Sequence, residues 1–178
     1  IALVRFPHAG TFEIPILKVN NKIAEGKNVI GPNPIDAIGI SSKVAERLSG
    51  ADFDGDTVLA IPTGGKIKIT STPELEGLKG FDPKEKYPER TGMKYMTKAA
   101  TQQEMGKISN LITDMTLKGA DADELARAVR HSMVVIDAEK HHLDYKKSEA
   151  DNGIAALKKA YQGVPDENGV IKGGGAST

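Results

Sequence analysis

At 178 residues the chain can bury one sizeable core with an appendage, and its net charge of +0 argues against a globally basic nucleic-acid surface while leaving a local patch open. It has no Cys, which excludes a disulfide framework and a thiolate metal site and suits a reducing compartment. No apolar run reaches the ~18 residues of a membrane span and none reads as a signal peptide, so no membrane partner and a cytoplasmic location are expected. Trp is absent and aromatics make up 4%, too few to suggest a base-stacking platform. The chain opens at Ile1 without Met and reads as a piece of something longer.

The N-terminal part alternates short extended runs with turns. Ala2-Leu3-Val4-Arg5-Phe6 predicts a strand stopped by Pro7, and His8-Ala9-Gly10-Thr11 a turn. Phe12 to Val19 is a second extended run, and Lys27-Asn28-Val29-Ile30 a third strand. Gly31-Pro32-Asn33-Pro34 is loop. Ile35 to Leu48 is ambiguous, with a short helix possible from Ser42.

Ser49-Gly50-Ala51-Asp52-Phe53-Asp54-Gly55-Asp56 follows. Its carboxylates sit at i, i+2 and i+4; on a flat strand they stand about 6.5 Å apart, too far to share an ion. Gly55 lets the backbone curl so that Asp52, Asp54 and Asp56 converge. Converging anions repel and raise a pKa unless a cation lies between them, and an all-oxygen donor set suits Mg2+, with Mn2+ or Ca2+ also possible. An EF-hand loop fails on spacing: counted from Asp52, the glycine falls fourth and Thr63 stands where the last carboxylate belongs. A haloacid-dehalogenase phosphatase needs Asp-x-Asp-Gly-Thr after an apolar strand, whereas here Asp56 replaces the Thr and the apolar run, Val58 to Ile61, comes afterwards. A polar turn with solvated charges is the plain alternative.

Thr57 to Pro62 predicts a strand leaving this loop, and Lys66-Ile67-Lys68-Ile69-Thr70 another with clean alternation after Gly64-Gly65. Short strands punctuated by Gly and Pro describe a small closed β-barrel over residues 1–71. Residues 72–96, rich in Pro, Gly, Lys and Glu, predict a linker or long loop. Residues 97–163 predict about three helices. The first runs from Lys98 to Lys118 with the stripe Met105, Ile108, Leu111, Ile112, Met115 and a capping box at Thr101 and Glu104. The second opens at Asp121 with Glu124 three residues on, carries the stripe Leu125, Val129, Met133, Ile136, and continues to about Lys146. The third begins near Asp151, buries Ile154, Leu157 and Tyr161, and stops at Gly163. His141-His142 reads as a solvated helix end, and residues 164–178 as a flexible tail. The fold class expected is α+β, a closed barrel followed by a helical appendage.

Ala51-Asp52-Phe53-Asp54-Gly55-Asp56 resembles the catalytic loop of the two-barrel RNA polymerases, which include the β′ subunit of cellular DNA-directed enzymes and the RNA-dependent RNA polymerases of RNA silencing. Arg5-Phe6-Pro7 resembles the family's Arg-x-Pro strand about fifty residues ahead of that loop, and His8-Ala9-Gly10 a similar His-x-Gly. Gly50 stands where the cellular β′ loop has an Asn just before its Ala-Asp, and Ser49-Gly50 is similar to the silencing branch; a phage or bacterial single-chain member is also compatible. More loosely, Met105-Gly106-Lys107-Ile108-Ser109-Asn110 and Val135-Ile136-Asp137-Ala138-Glu139-Lys140 are similar to helices that follow the silencing enzymes' barrel. The resemblance implies a barrel of the double-psi type and Mg2+-dependent nucleotidyl transfer that adds ribonucleotides to an RNA 3′-OH. It implies Asp52, Asp54 and Asp56 as catalytic metal ligands, Arg5 at the incoming nucleotide's sugar and phosphates, and Asn110 lining the cleft. For Arg5 an edge-strand ion pair, for Asn110 an ordinary helix polar face, and for His8 a turn-shaping role stand beside these. The implied partners are nucleoside triphosphates, RNA product, a template, and a second β-barrel with pyrophosphate-neutralising lysines that is not in these residues. A non-catalytic polymerase-like module, binding nucleic acid or serving as a phage structural part, is the competing class, with the phosphatase third.

Overall fold

The computed structural model describes residues 1–5, 10–45, 47–48, 57–172 and 175–176. They divide into two compact units, Ile1–Pro73 and Glu74–Thr178.

The first unit is built on one antiparallel pair, β1 (Ala2–Arg5) and β2 (Val58–Ile61), in the register Ala2↔Ile61, Leu3↔Ala60, Val4↔Leu59, Arg5↔Val58. The other edge of β1 is met by a single bridge, Ala2↔Ile16. Leu3 N–H donates to Pro15 O at 3.1 Å, and Leu17 N–H to Ile1 O at 2.8 Å. A 3-10 turn at Thr11–Glu13 folds Phe12 inward, entered through Gly10 at φ 143°, where a Cβ would stand 3.0 Å from the Phe12 ring. Ala2, Leu3, Phe12 and Leu48 are buried. Further along lie α1 (Ala24–Ile30), which buries none of its residues, and α2 (Ser42–Ala45).

The closed β-barrel is therefore not the fold. Among the described residues this unit holds one two-stranded antiparallel sheet that does not close. Two expected strands are missing from it. Residues 27–30 are the second half of α1: Ala24 and Glu25 favour a helix that runs on through Val29, and Gly31 ends it at φ 84°. Residues 66–70 alternate in polarity, but among the described residues no neighbouring strand takes up their backbone groups, and Ile67 stays 56% exposed. Alternation makes a strand only where a sheet face receives it. The run from Phe12 to Val19 is likewise reduced to the 3-10 turn and the bridge at Ile16.

The second unit is helical. Residues 74–96 contribute a 3-10 turn at Glu76–Leu78 and α3 (Pro83–Lys86), capped by Asp82, whose carboxylate accepts from Lys84 N–H at 2.8 Å. This stretch is more structured than its composition suggests, because Leu75, Tyr87, Met93 and Met96 are buried. Gly77 is required: a Cβ there would lie 2.7 Å from Ala126 Cβ.

Helix α4 (Lys98–Leu117) starts at the expected residue, capped by Thr97, whose hydroxyl accepts from Ala100 N–H at 3.2 Å, so Thr101 and Glu104 lie inside it. It buries Ile108, Leu111, Ile112 and Met115, the apolar stripe of the sequence, and Gly119 at φ 74° turns the chain out of it. Helix α5 (Ala122–His141) has the capping box formed by Asp121 and Glu124. It is central, packing against the 3-10 turn, α3 and α4 as well as the two helices that follow. Consequently it buries Ala126, Ala128, Val129, Val134, Val135 and Ala138, while Ile136 is 43% exposed. A helix enclosed on several sides selects small residues for close approach, and each fully buried Val or Ile adds about 1.5–3 kcal/mol.

His142, at φ 51°, ends α5 and separates it from α6 (Tyr145–Asp151), so the expected single helix to Lys146 is two. Gly153 opens α7 (Ile154–Gln162), with Ile154 and Leu157 buried. In place of the flexible tail, β3 (Val164–Pro165) and β4 (Ile171–Lys172) form a small hairpin, its turn organised by Asp166 Oδ1 accepting from Asn168 and Val170 N–H at 3.0 Å each. Gly173 and Gly174 lie outside the described residues. Among the described residues no helix is long and apolar enough to cross a membrane.

Candidate functional site

The expected metal ligands Asp52, Asp54 and Asp56 lie outside the described residues, as do Phe6, Pro7, His8, Ser49 and Gly50. What the structure gives is the frame at both ends of the acidic segment. Ahead of it, Leu48 is 1% exposed, and Arg47 reaches across the unit to donate to Ser71 Oγ at 2.9 Å. Behind it, Val58 enters the ladder two residues after Asp56 and pairs with Arg5. Arg5 is half-buried at the end of β1.

Among the described residues no group of three or more His, Cys, Asp or Glu gathers as a metal would require.

Asn110 lies on the exposed face of α4 in the other unit. It lines a cleft of about 500 Å³ with Gln103, Gly106 and Lys107 of α4, Lys158 and Gln162 of α7, and the tail at 175–176. His142, read as a solvated helix end, is engaged: its Nδ1 is 3.4 Å from Glu89 Oε2 and its ring stacks edge-on against Tyr95. The Tyr95 hydroxyl donates to Glu89 and, with His142, holds that carboxyl below its usual range.

Sequence reading missed a buried polar network. His131 Nδ1 lies 3.0 Å from Ser148 Oγ, and Asn152 Nδ2 donates to Ser148 O at 2.9 Å and to the Tyr87 hydroxyl at 3.3 Å. Arg130 Nε donates to Asn152 Oδ1 at 3.2 Å, and its Nη1 to Gly77 O at 3.2 Å. Asp144 caps α6, accepting from Lys147 N–H at 3.0 Å, and also takes a hydrogen bond from Arg90. Burial pushes the His131 pKa down to about 4. Ser148 is fully buried, so the His131–Ser148 pair cannot meet a substrate and serves packing. The signal that could have found His131 is its spacing from Ala128, Val135 and Ala138, which puts it on the small-residue face of α5.

No family model, no curated protein and no solved structure matches this chain.

Proposed function

We propose that the chain supplies the metal-binding loop of an RNA polymerase akin to the two-barrel enzymes, transferring ribonucleotides to an RNA 3′-OH with Mg2+. The observation that carries this is the pairing of Arg5 with Val58, which sets the strand end that bears the guanidinium opposite a residue only two positions after Asp56. The kinship stands on the acidic loop and Arg5, since the expected barrel is absent among the described residues.

In this proposal Asp52, Asp54 and Asp56 hold Mg2+, with Mn2+ as a substitute. Bound there, the ion supplies Lewis-acid stabilisation for the attacking 3′-oxygen and the α-phosphate. Arg5 binds the ribose hydroxyl or phosphates of the incoming nucleoside triphosphate, for which a planar, permanently charged fork is suited. RNA and a template are the macromolecular partners, and lysines that neutralise pyrophosphate come from a further module. A cytoplasmic location goes with this proposal. The antiparallel sense of β1 and β2 does not favour the phosphatase alternative, which calls for a parallel sheet.

The test is ribonucleotide incorporation on a primed template by the protein that carries this chain. Incorporation should require Mg2+ and fall about a thousandfold in Asp54→Ala. An unchanged rate in that variant overturns the assignment. RNA binding without incorporation by the native protein points instead to the non-catalytic module.

A further inference from the structure

The cleft between α4 and α7 holds a set of groups that no core function explains. Lys158 is half-buried, yet it forms no ion pair among the described residues. The Glu149 carboxyl feels its charge and is held below the usual range, but no carboxylate pairs with Lys158 directly, so an anion entering the cleft can take that place. Lys107, the other cation, is exposed and tethered to Glu104 at 2.8 Å, an i,i+3 pair on the surface that an incoming phosphate can outcompete.

Between the lysines lie amides of defined direction. Gln162 is 7% exposed, and its Nε2 donates to the buried Asp114 Oδ2 at 2.8 Å. That bond fixes the flip of the amide and leaves Oε1 as an acceptor on a residue of the cleft wall. Asn110 and Gln103 add two more amides along α4, about two turns apart on one stripe. Gly106, between them, leaves the floor open: a Cβ built there meets nothing within 4 Å.

Two cations and an oriented carbonyl, with adaptable amides in about 500 Å³, match a ligand that is anionic at one end and carries N–H or O–H donors at the other. We infer that this cleft binds a nucleoside phosphate unit, with the phosphate at Lys158 and Lys107 and the base or sugar donors at Gln162 and Asn110. The inference rests on the cleft alone and survives or fails independently of the aspartate loop. A free nucleotide and a single strand both present this unit.

The test is titration of the 178-residue chain, in EDTA so that metal-dependent binding elsewhere does not contribute, with adenosine monophosphate, inorganic phosphate and a five-nucleotide single-stranded RNA. Amide shifts are followed by NMR. Shifts centred on Gly106, Asn110 and Lys158 are expected, with the mononucleotide binding at least tenfold tighter than phosphate. Lys158→Gln and Gly106→Leu should each weaken it at least tenfold, while Lys84→Gln on α3 leaves it unchanged. RNA tighter than the mononucleotide assigns the site to a strand; equal affinities assign it to free nucleotides, and both support the inference. Shifts elsewhere, equal binding of phosphate and nucleotide, or full affinity in both cleft variants overturn it.

Discussion

His131 Nδ1 and Ser148 Oγ stand 3.0 Å apart inside the helical unit, joining the centre of α5 to α6 with both side chains out of reach of solvent. Burial is the main reason the imidazole stays neutral. Glu149 and Glu104 favour its charging, Lys158 and Lys146 oppose it, and the net pKa is about 4.

A pH dependence follows. The unfolded chain takes up a proton at this histidine near pH 6.5 and the folded chain only near 4, so between these values the unfolded state binds more protons. Stability should be full above pH 6.5 and fall through this window by up to about 3 kcal/mol. Urea midpoints at pH 7.5 and 4.5 measure it. His131→Gln, which keeps a hydrogen-bonding group but does not titrate, should flatten the slope.

Asp144 does two jobs from a buried position, capping α6 and pairing with Arg90. Burial alone would raise its carboxyl pKa, but the Arg90 hydrogen bond, the Lys147 N–H and the charges of both residues together hold it below the usual value. Its contribution is present at neutral pH and lost only as pH drops below the ordinary carboxylate range. Asp144→Ala should cost about 2–3 kcal/mol by thermal or denaturant unfolding, and Asp144→Asn, which keeps the cap, about half of that.

Two glycines should respond in opposite directions to alanine. At Gly77 the new methyl meets Ala126 Cβ, and Gly77→Ala should destabilise by about 1–3 kcal/mol, partly rescued by Ala126→Gly. At Gly106, mid-helix with open space, Gly106→Ala should stabilise by about 0.5–1 kcal/mol. Differential scanning calorimetry of the three variants checks both signs.

Arg5 should separate substrate binding from metal binding. In the protein that carries this chain, Arg5→Ala should raise the nucleotide KM about tenfold or more with Mn2+ affinity unchanged, and Arg5→Lys should recover only part of the loss. Steady-state incorporation and Mn2+ titration by electron paramagnetic resonance give the two readouts.

What was legible in the sequence was local. The capping box at Asp121 and Glu124 and the stripe from Ile108 to Met115 depend on residues within two turns of each other, and both formed as written. Strands at Ala2–Arg5 and Val58–Ile61 were also readable, being apolar runs closed by Pro. The failures were non-local. Residues 66–70 have the alternation of a strand but no partner strand among the described residues, and residues 27–30 are claimed by the helix begun at Ala24. On α5 the true face is made largely of alanines, whose weak hydropathy hides the periodicity, and the same face conceals His131. The acidic motif on which the proposed function rests is conspicuous by residue type alone and lies outside the described residues. Lys158 and Gln162 were invisible because only the docking of α7 on α4 puts them beside Asn110.

Asn152 is followed by Gly153, the dipeptide most susceptible to cyclisation into succinimide, in which the glycine nitrogen attacks the asparagine side chain. Here the amide is held by Ser148, Tyr87 and Arg130, and the Gly153 N–H is occupied by Ala150 O at 3.0 Å. The native fold therefore shields a chemical weak point, and conversion to isoaspartate becomes a permanent record of each excursion in which α6 comes away from α5.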